Sequence, residues 1–241
     1  MVKVPSILDL FKAGVHFGHR ASKSHPKMLP FIYTTKNNTH LIDLEKTRER
    51  LKQSLDFIKK LISHQPKAVI LFVGTKPAAR QIIEKYAQEV VMPYIIEQWL
   101  GGTLTNFAVI HQRIEEYKKM LKEKEEGAWE KYTKKESLLL ERNFQKLEKL
   151  FKGISTLDAL PDALYVIDIL EESTTVREAN KKQIPVIALT GTNTNPEQIA
   201  YPIPGNDDGI KSIELITQLI VETIKEGRES QKPAPNSQEK K

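Results

Sequence analysis

The sequence contains no cysteine, and this absence excludes several kinds of site at once. Without thiols there is no disulfide framework, no cysteine-ligated zinc centre and no thiol nucleophile. A reducing cytosolic setting fits such a composition. Long apolar runs are also lacking: the stretch from Ala68 to Val73 is among the longest, and a membrane-spanning helix needs about 20 residues. The N-terminal residues do not join a charged segment to an apolar one, so we expect no secretory signal.

The usual motifs of nucleotide binding and hydrolysis are missing as well. The chain contains neither G-x-x-x-x-G-K-[ST] nor G-x-G-x-x-G, and neither G-x-S-x-G nor H-E-x-x-H. Asp207-Asp208 beside Asn206 could hold a divalent metal, but such residues before a helix more often cap it, and we predict a cap. A nucleotide- or phosphate-binding enzyme that uses the open end of an α/β sheet remains the alternative function.

Positive charge is present in excess, and its placement is informative. The 241 residues carry a net charge of +6, with 39% hydrophobic and 28% charged residues. Residues 1–60 contain twelve Lys or Arg against five Asp or Glu, whereas the rest of the chain is nearly neutral. A basic segment on a neutral body is typical of contact with a phosphate backbone. An ordinary solvated basic face would give the same count.

The pattern of apolar residues predicts an α/β domain. Unbroken apolar runs are typical of strands buried on both faces of a parallel sheet, and helical periodicity separates them. We therefore predict a doubly wound parallel sheet with helices on both faces. The segment from Tyr201 to Pro204 contains two prolines, which cannot donate to the hydrogen-bond ladder, so we predict an edge strand there. The predicted buried strands are 68–73, 163–168 and 185–189, and a hairpin is predicted from 31–34 and 40–42, joined by a turn at 36–39.

A charged helical segment interrupts this domain after the Gly101-Gly102 pair. Apolar residues recur at steps of three and four over 104–121 and 140–151, on either side of a break at Gly127. This spacing predicts an antiparallel coiled-coil hairpin. The predicted organisation is an α/β RNA-binding domain over 1–103 and 152–226, a coiled-coil hairpin over 104–151 and a disordered tail over 227–241.

The segment from Val15 to Met28 mixes His, Arg and Lys with Gly and one aromatic residue, without a helical or strand period. We predict a loop that lays cationic side chains along phosphates. His16 and His19 could contribute two zinc ligands, but no Cys or clear carboxylate completes the set, so imidazoles that contact RNA are the favoured interpretation. Lys76 lies at the mouth of a predicted helix, where an anion could bind.

Several ordered motifs resemble the bacterial and organellar small-subunit ribosomal protein S2 family, from about Ile7 to Glu226. One departure is visible, because the family usually reads Val-Asp-Thr-Asn where this chain has Thr190-Gly191-Thr192-Asn193. The missing carboxylate weakens any metal or catalytic role for that loop. The motifs are Phe11 to His19, Pro26 to Met28, His40 to Thr47, Trp99 to Asn106, Leu160 to Leu164, Ile184 to Leu189 and Ile203 to Asp208.

The resemblance implies a flavodoxin-like doubly wound α/β sheet with an inserted antiparallel coiled-coil hairpin. It also implies a structural protein of the small (30S) ribosomal subunit, without catalysis, in the cytoplasm or an organellar matrix. Such a protein binds small-subunit ribosomal RNA between head and body and has ribosomal protein S1 among its neighbours.

Neither a membrane nor a small-molecule substrate is implied, and the only cofactor expected is magnesium as a counterion of the RNA. The residues that we predict to contact RNA are His16, Phe17, Gly18, His19, Arg20, Lys23, Lys27, Lys36, Asn37, His40, Lys76, Trp99, Gly101, Gly102, Thr103, Asn106 and Arg113.

Overall fold

Strands and helices alternate along most of the chain, as the apolar pattern predicted. The structure is a computed structural model that describes residues 4–230. Its strands are β1 (Phe17–Arg20), β2 (Ile32–Lys36), β3 (Thr39–Ile42), β4 (Ile70–Val73), β5 (Tyr94–Ile95), β6 (Ala163–Ile167), β7 (Val186–Thr190) and β8 (Tyr201–Pro204). Its α-helices are α1 (Ile7–Lys12), α2 (Leu44–His64), α3 (Pro77–Glu89), α4 (Phe107–Glu125), α5 (Lys134–Phe151), α6 (Ser173–Lys181) and α7 (Ile210–Glu229).

The central sheet has five parallel strands in the order β5-β4-β6-β7-β8. Counted within this sheet alone, the order is 2-1-3-4-5, the flavodoxin-like arrangement. The proline-containing β8 lies at one edge, as predicted. The two-residue β5 at the other edge was not predicted, because so short a strand carries no readable pattern.

Alternate residues of the buried strands face two separate hydrophobic clusters. Phe72 and Tyr165 pack with α2, α3 and α7 on one face of the sheet. Leu71 and Val166 pack with α4, α5 and α6 on the other face. Helices therefore cover both faces, which confirms the doubly wound α/β fold and explains why the strand sequences are apolar throughout.

A second, antiparallel sheet has the order β1-β3-β2. The predicted β2–β3 hairpin is confirmed, and Asn37 and Asn38 adopt the left-handed conformations (φ 50° and 61°) that a type I′ turn requires. β1 occupies part of the segment predicted to be a loop, and that prediction is wrong. β1 has only four residues and its register with β3 shifts between Phe17 and Arg20, so no strand alternation is readable in the sequence.

Helices α4 and α5 form an antiparallel pair whose base packs on the sheet. Tyr117 stacks on Phe144 with ring centroids 5.8 Å apart, and Lys124 forms a 2.9 Å ion pair with Glu141. The description of this pair as a coiled coil and the domain boundaries around it stay predictions.

The C-terminal helix is longer than predicted, because α7 continues to Glu229. The predicted disordered tail therefore starts too early at 227, and residues 231–241 lie outside the described residues. Between residues 4 and 230, none of the helices combines the length and apolar character that crossing a bilayer requires.

Candidate nucleic-acid interface

The small N-terminal sheet is docked at the carboxyl end of the central parallel strands. The His19 amide donates to Thr192 Oγ1 at 2.8 Å, and the His25 amide donates to the Thr192 carbonyl at 2.9 Å. Thr192 follows β7, so the basic segment lies where α/β folds usually place their ligands.

One end of this small sheet gathers four of the predicted RNA contacts, which we call the basic tip. Arg20 on β1 and Lys36 on β2 are each in register with Thr39 of β3, on opposite sides of it. Lys23 follows β1, and Asn37 lies in the β2–β3 turn. All four are exposed. Within residues 4–230, no carboxylate lies within ion-pair distance of the three cations, so their charge is available to a ligand. The basic tip consists of Arg20, Lys23, Lys36 and Asn37.

Two other predicted contacts already have carboxylate partners. Lys27 forms an ion pair with Glu197, and Arg113 pairs with Glu116 at 2.8 Å. Exposed pairs of this kind contribute at most about 1 kcal/mol. A phosphate could therefore bind these cations only in competition with their carboxylate partners.

Several predicted contacts instead serve internal packing. His40 is buried and its Nδ1 lies 2.8 Å from Thr35 Oγ1, which corrects the expectation that it contacts RNA. A Cβ on Gly18 would lie 2.6 Å from Thr192 Cγ2, so this glycine is needed for close packing within the chain. The His16 ring lies between the rings of Phe11 and Phe17.

Lys76 does not offer a free charge to an anion, contrary to prediction. Its Nζ lies 3.0 Å from Asp168 Oδ2 and also forms an ion pair with Asp208. Burial alone would lower the pKa of Lys76, but the surrounding carboxylates, Asp208 and Asp207 foremost, outweigh it and raise the pKa. The lysine therefore stays charged and is neutralised within the chain.

His19 joins this cluster from β1, and the sequence did not reveal that it lies beside Asp207 and Asp208 in an arrangement that could hold a metal ion. Its Nε2 lies 3.1 Å from Asp208 Oδ2, and its Nδ1 lies 3.8 Å from Asp207 Oδ1. One ligand atom from each of the three residues lies within 4.8 Å of the others, close enough for one cation. A Cβ at Gly191 would come within 2.7 Å of both Asp207 and His19, so the glycine leaves room for them.

Asp207 is the unusual member of the cluster. It is fully buried, and among the described residues neither of its carboxylate oxygens has a hydrogen-bond partner. Burial, and then the nearby charge of Asp168, raises the pKa of Asp207 to about 7. The predicted cap by Asn206, Asp207 and Asp208 holds only for the asparagine. Asn206 Oδ1 accepts the amides of Asp208 and Gly209 just before α7, whose N-cap is Gly209, and neither aspartate caps the helix.

We expect Asp207→Asn to change the pH dependence of stability. The folded pKa lies above the ordinary value of 3.8, so folding takes up a proton and wild-type stability falls as pH rises from about 4 to about 7. A rise in pKa of this size corresponds to a loss of a few kcal/mol, roughly 2–4, in the free energy of unfolding, and the variant should not show this loss. Urea unfolding with EDTA at pH 4 to 8 measures it. Parallel pH profiles for the two proteins would contradict the assignment.

The segment Gln98 to Asn106 wraps around the buried carboxylate of Glu178 on α6. Burial alone would raise the pKa of Glu178, but its hydrogen bonds, led by those from the Gly102 and Thr105 amides, lower it. Glu178 Oε1 accepts from Trp99 Nε1 (3.2 Å) and the Gly102 amide (2.7 Å), and Oε2 accepts from the Leu104 and Thr105 amides and Thr105 Oγ1 (each 3.0 Å).

The segment Gln98 to Asn106, which we call the hinge, contains both buried and exposed predicted contacts. Trp99 and Thr103 are buried, which corrects the expectation that they face RNA, and the Gly102 amide is bonded to Glu178. Of the predicted contacts in this segment, Gly101 and Asn106 are therefore the exposed ones, and their contact with RNA stays a prediction.

Comparison of the sequence with known proteins finds one matching family model and several similar proteins. Residues 10–227 match the family model described as "Ribosomal protein S2". The chain is 43% identical over 235 residues to the small ribosomal subunit protein uS2 of Coprothermobacter proteolyticus, covering 98% of this chain and 87% of that protein. It is 44% identical over 221 residues to uS2 of Dictyoglomus thermophilum, covering 92% and 89%. It is 43% identical over 225 residues to uS2 of Pseudoalteromonas translucida, covering 93% and 92%.

Proposed function

The chain belongs to the ribosomal protein S2 family, and from this premise we propose that it binds small-subunit ribosomal RNA between the head and body of the subunit. It acts there as a structural component that supports translation, in the cytoplasm, and catalyses no reaction. Ribosomal protein S1 is a protein neighbour that it helps to recruit, and magnesium accompanies the RNA as a counterion.

The observation that carries this proposal is the basic tip. Arg20, Lys23 and Lys36 are exposed on adjacent strands and turns, without carboxylate partners within residues 4–230. Such clusters bind phosphates and hold a protein in register on RNA. The paired helices α4 and α5 extend from the sheet and would reach an adjacent RNA helix or protein.

The alternative function, a nucleotide- or phosphate-binding enzyme at the open end of the sheet, has less support. Lys76 lies at that end, just before α3, and is neutralised by Asp168 and Asp208. Asp207 adds a third carboxyl group beside them. Several carboxylates at one point repel a phosphate rather than bind it.

Filter binding tests the proposal directly. The full chain should bind purified small-subunit ribosomal RNA tightly at about 0.15 M salt, and large-subunit ribosomal RNA much more weakly. Specific binding typically exceeds non-specific binding by at least about 1,000-fold in nucleic-acid complexes. Equal affinity for the two RNAs would contradict a specific role on the small subunit.

The two hinge glycines provide a matched pair of variants. A Cβ at Gly101 would meet nothing within 4 Å, so Gly101→Ala should leave the melting temperature unchanged and weaken RNA binding if the RNA backbone approaches there. Gly102 has φ +96°, so Gly102→Ala should destabilise the fold by about 1–2 kcal/mol. Thermal melting and filter binding of both variants separate the two roles. Unchanged RNA binding by Gly101→Ala would exclude a close approach at this glycine.

A further inference from the structure

Three aromatic rings form an exposed stack at the start of β1, whose other end carries Arg20 of the basic tip, and we call them the aromatic stack. The Phe11 and His16 ring centroids are 4.3 Å apart with planes inclined by 9°, and those of His16 and Phe17 are 4.1 Å apart with planes inclined by 37°. The outer residues Phe11 and Phe17 are 56% and 50% exposed. His16 is the middle ring, so any new planar partner would meet one of the phenylalanines.

The backbone holds the stack in place. Ser6 begins α1 with a capping box that it shares with Asp9, and Gly14 (φ +73°) turns the chain from α1 towards β1. The Ile42 amide of β3 donates to the His16 carbonyl at 2.7 Å. An ordered platform loses little conformational entropy when a partner binds, so its exposed rings can contribute fully to affinity.

The stack itself has no charge near neutral pH. Burial lowers the pKa of His16 below its ordinary value of 6.5, so the imidazole is neutral at pH 7 and does not act as a phosphate-binding cation. The aromatic stack therefore presents flat, uncharged ring faces. Unpaired nucleobases stack on such faces, and this contact tolerates any base because every base has a π-face.

The charge of the neighbourhood favours a nucleic acid as the occupant. Lys12 directly follows Phe11 at the end of α1, and Arg20 lies at the end of β1, three residues after Phe17; both are exposed. The first sixty residues carry the positive excess of the whole chain. Single-stranded RNA offers both phosphates for the cations and unpaired bases for the rings.

We propose that an unpaired RNA base stacks on an outer ring of the aromatic stack, Phe11 or Phe17, while the adjacent phosphates contact the basic tip. This inference rests on the RNA-binding function proposed above and adds an element to it. The basic tip supplies charge attraction, and the stack holds a single-stranded nucleotide that is splayed out of its helix.

The test exchanges flat rings for aliphatic side chains of similar polarity. Phe11→Leu/Phe17→Leu removes the ring faces, and Phe11→Tyr/Phe17→Tyr is the matched control that keeps them. Filter binding to purified small-subunit ribosomal RNA between 50 and 200 mM salt is the readout. We expect the leucine variant to bind roughly 5- to 150-fold more weakly at every salt concentration, the range for one stacked base, and the tyrosine variant to bind like wild type.

The salt dependence separates this inference from the proposed function. Loss of stacking should leave the slope of log affinity against log salt unchanged, because no phosphate contact is removed. If the leucine variant binds like wild type, the proposed base stacking on the aromatic stack is overturned, while the RNA-binding function stands. If wild type fails to prefer small-subunit ribosomal RNA, the proposed function itself fails.

Two further outcomes would also overturn the proposal that a base stacks on the aromatic stack. Equal losses in the leucine and tyrosine variants would show that the site requires the shape of phenylalanine rather than a ring face. Normal RNA binding by the leucine variant, with poor incorporation into small subunits, would assign the surface to a protein partner. Both substituted positions are exposed, and the single variants Phe11→Leu and Phe17→Leu serve as replacements if the double variant melts early.

Discussion

Replacing Glu178 with alanine is expected to lower the free energy of unfolding by about 3–5 kcal/mol, the range for breaking a buried, hydrogen-bonded charge interaction. The Glu178 carboxylate accepts five hydrogen bonds from the segment that joins the α/β domain to α4. Alanine would leave these donors without an acceptor, several of them buried. For a protein of this size the melting temperature should fall by roughly 6–20 °C, as measured by circular dichroism.

The control for this experiment is Glu171→Ala, which removes the same charge from an exposed position nearby on the chain. It should change stability by less than about 0.5 kcal/mol. Glu178→Gln should also destabilise the fold, because its amide nitrogen would face N–H donors. A Glu178→Ala protein that melts like the Glu171→Ala protein would contradict the role assigned to the carboxylate.

The pH dependence gives the Glu178 prediction a second test. The hydrogen bonds lower the pKa of Glu178 below its ordinary value of 4.5. The charged carboxylate therefore contributes its full stabilisation above pH 4.5, and this contribution is lost as pH falls through the lower folded pKa. The stability difference between wild type and Glu178→Gln should accordingly shrink below pH 4.5, in urea unfolding measured from pH 3 to 7.

The second large effect concerns RNA affinity. Arg20→Ala/Lys23→Ala/Lys36→Ala removes the cations of the basic tip, and we expect small-subunit ribosomal RNA to bind about 100-fold more weakly near 0.15 M salt. Each lost phosphate contact also reduces counterion release, so the slope of log affinity against log salt should become shallower by about two to three. Filter binding at several salt concentrations provides both values.

A matched triple variant tests whether placement rather than total charge matters. Lys67, Lys181 and Lys182 are exposed and precede β4 and β7, at the amino end of the parallel strands. The basic tip belongs to the sheet docked at the carboxyl end. Alanine at these three lysines should leave both affinity and slope close to wild type. Equal losses in the two triple variants would indicate non-specific charge attraction.

Most of the fold could be predicted because its signals are local. The unbroken apolar runs of β4, β6 and β7 predicted buried parallel strands, and the Asn37-Asn38 turn predicted the hairpin of β2 and β3. β1 and β5 escaped prediction since they are too short to show a period, and β1 also has an irregular register with β3.

The site was harder to predict because its decisive contacts join distant parts of the chain. Glu178 lies 76 residues from Gly102, and no local pattern marks the carboxylate that the hinge surrounds. His19 meets Asp207 and Asp208 only in the folded protein. Sequence alone located the basic segment, but only the structure separates the exposed Arg20 from Lys76, whose charge is neutralised by Asp168 and Asp208.

The central claim is that this chain is an RNA-binding structural component of the small ribosomal subunit. Quantitative mass spectrometry of small subunits purified through a stringent salt wash tests it most directly. The account predicts close to one copy of the chain per subunit, and a strongly reduced copy number for the Arg20→Ala/Lys23→Ala/Lys36→Ala variant. Washed small subunits that lack the wild-type chain, with the protein recovered free in the lysate, would contradict it.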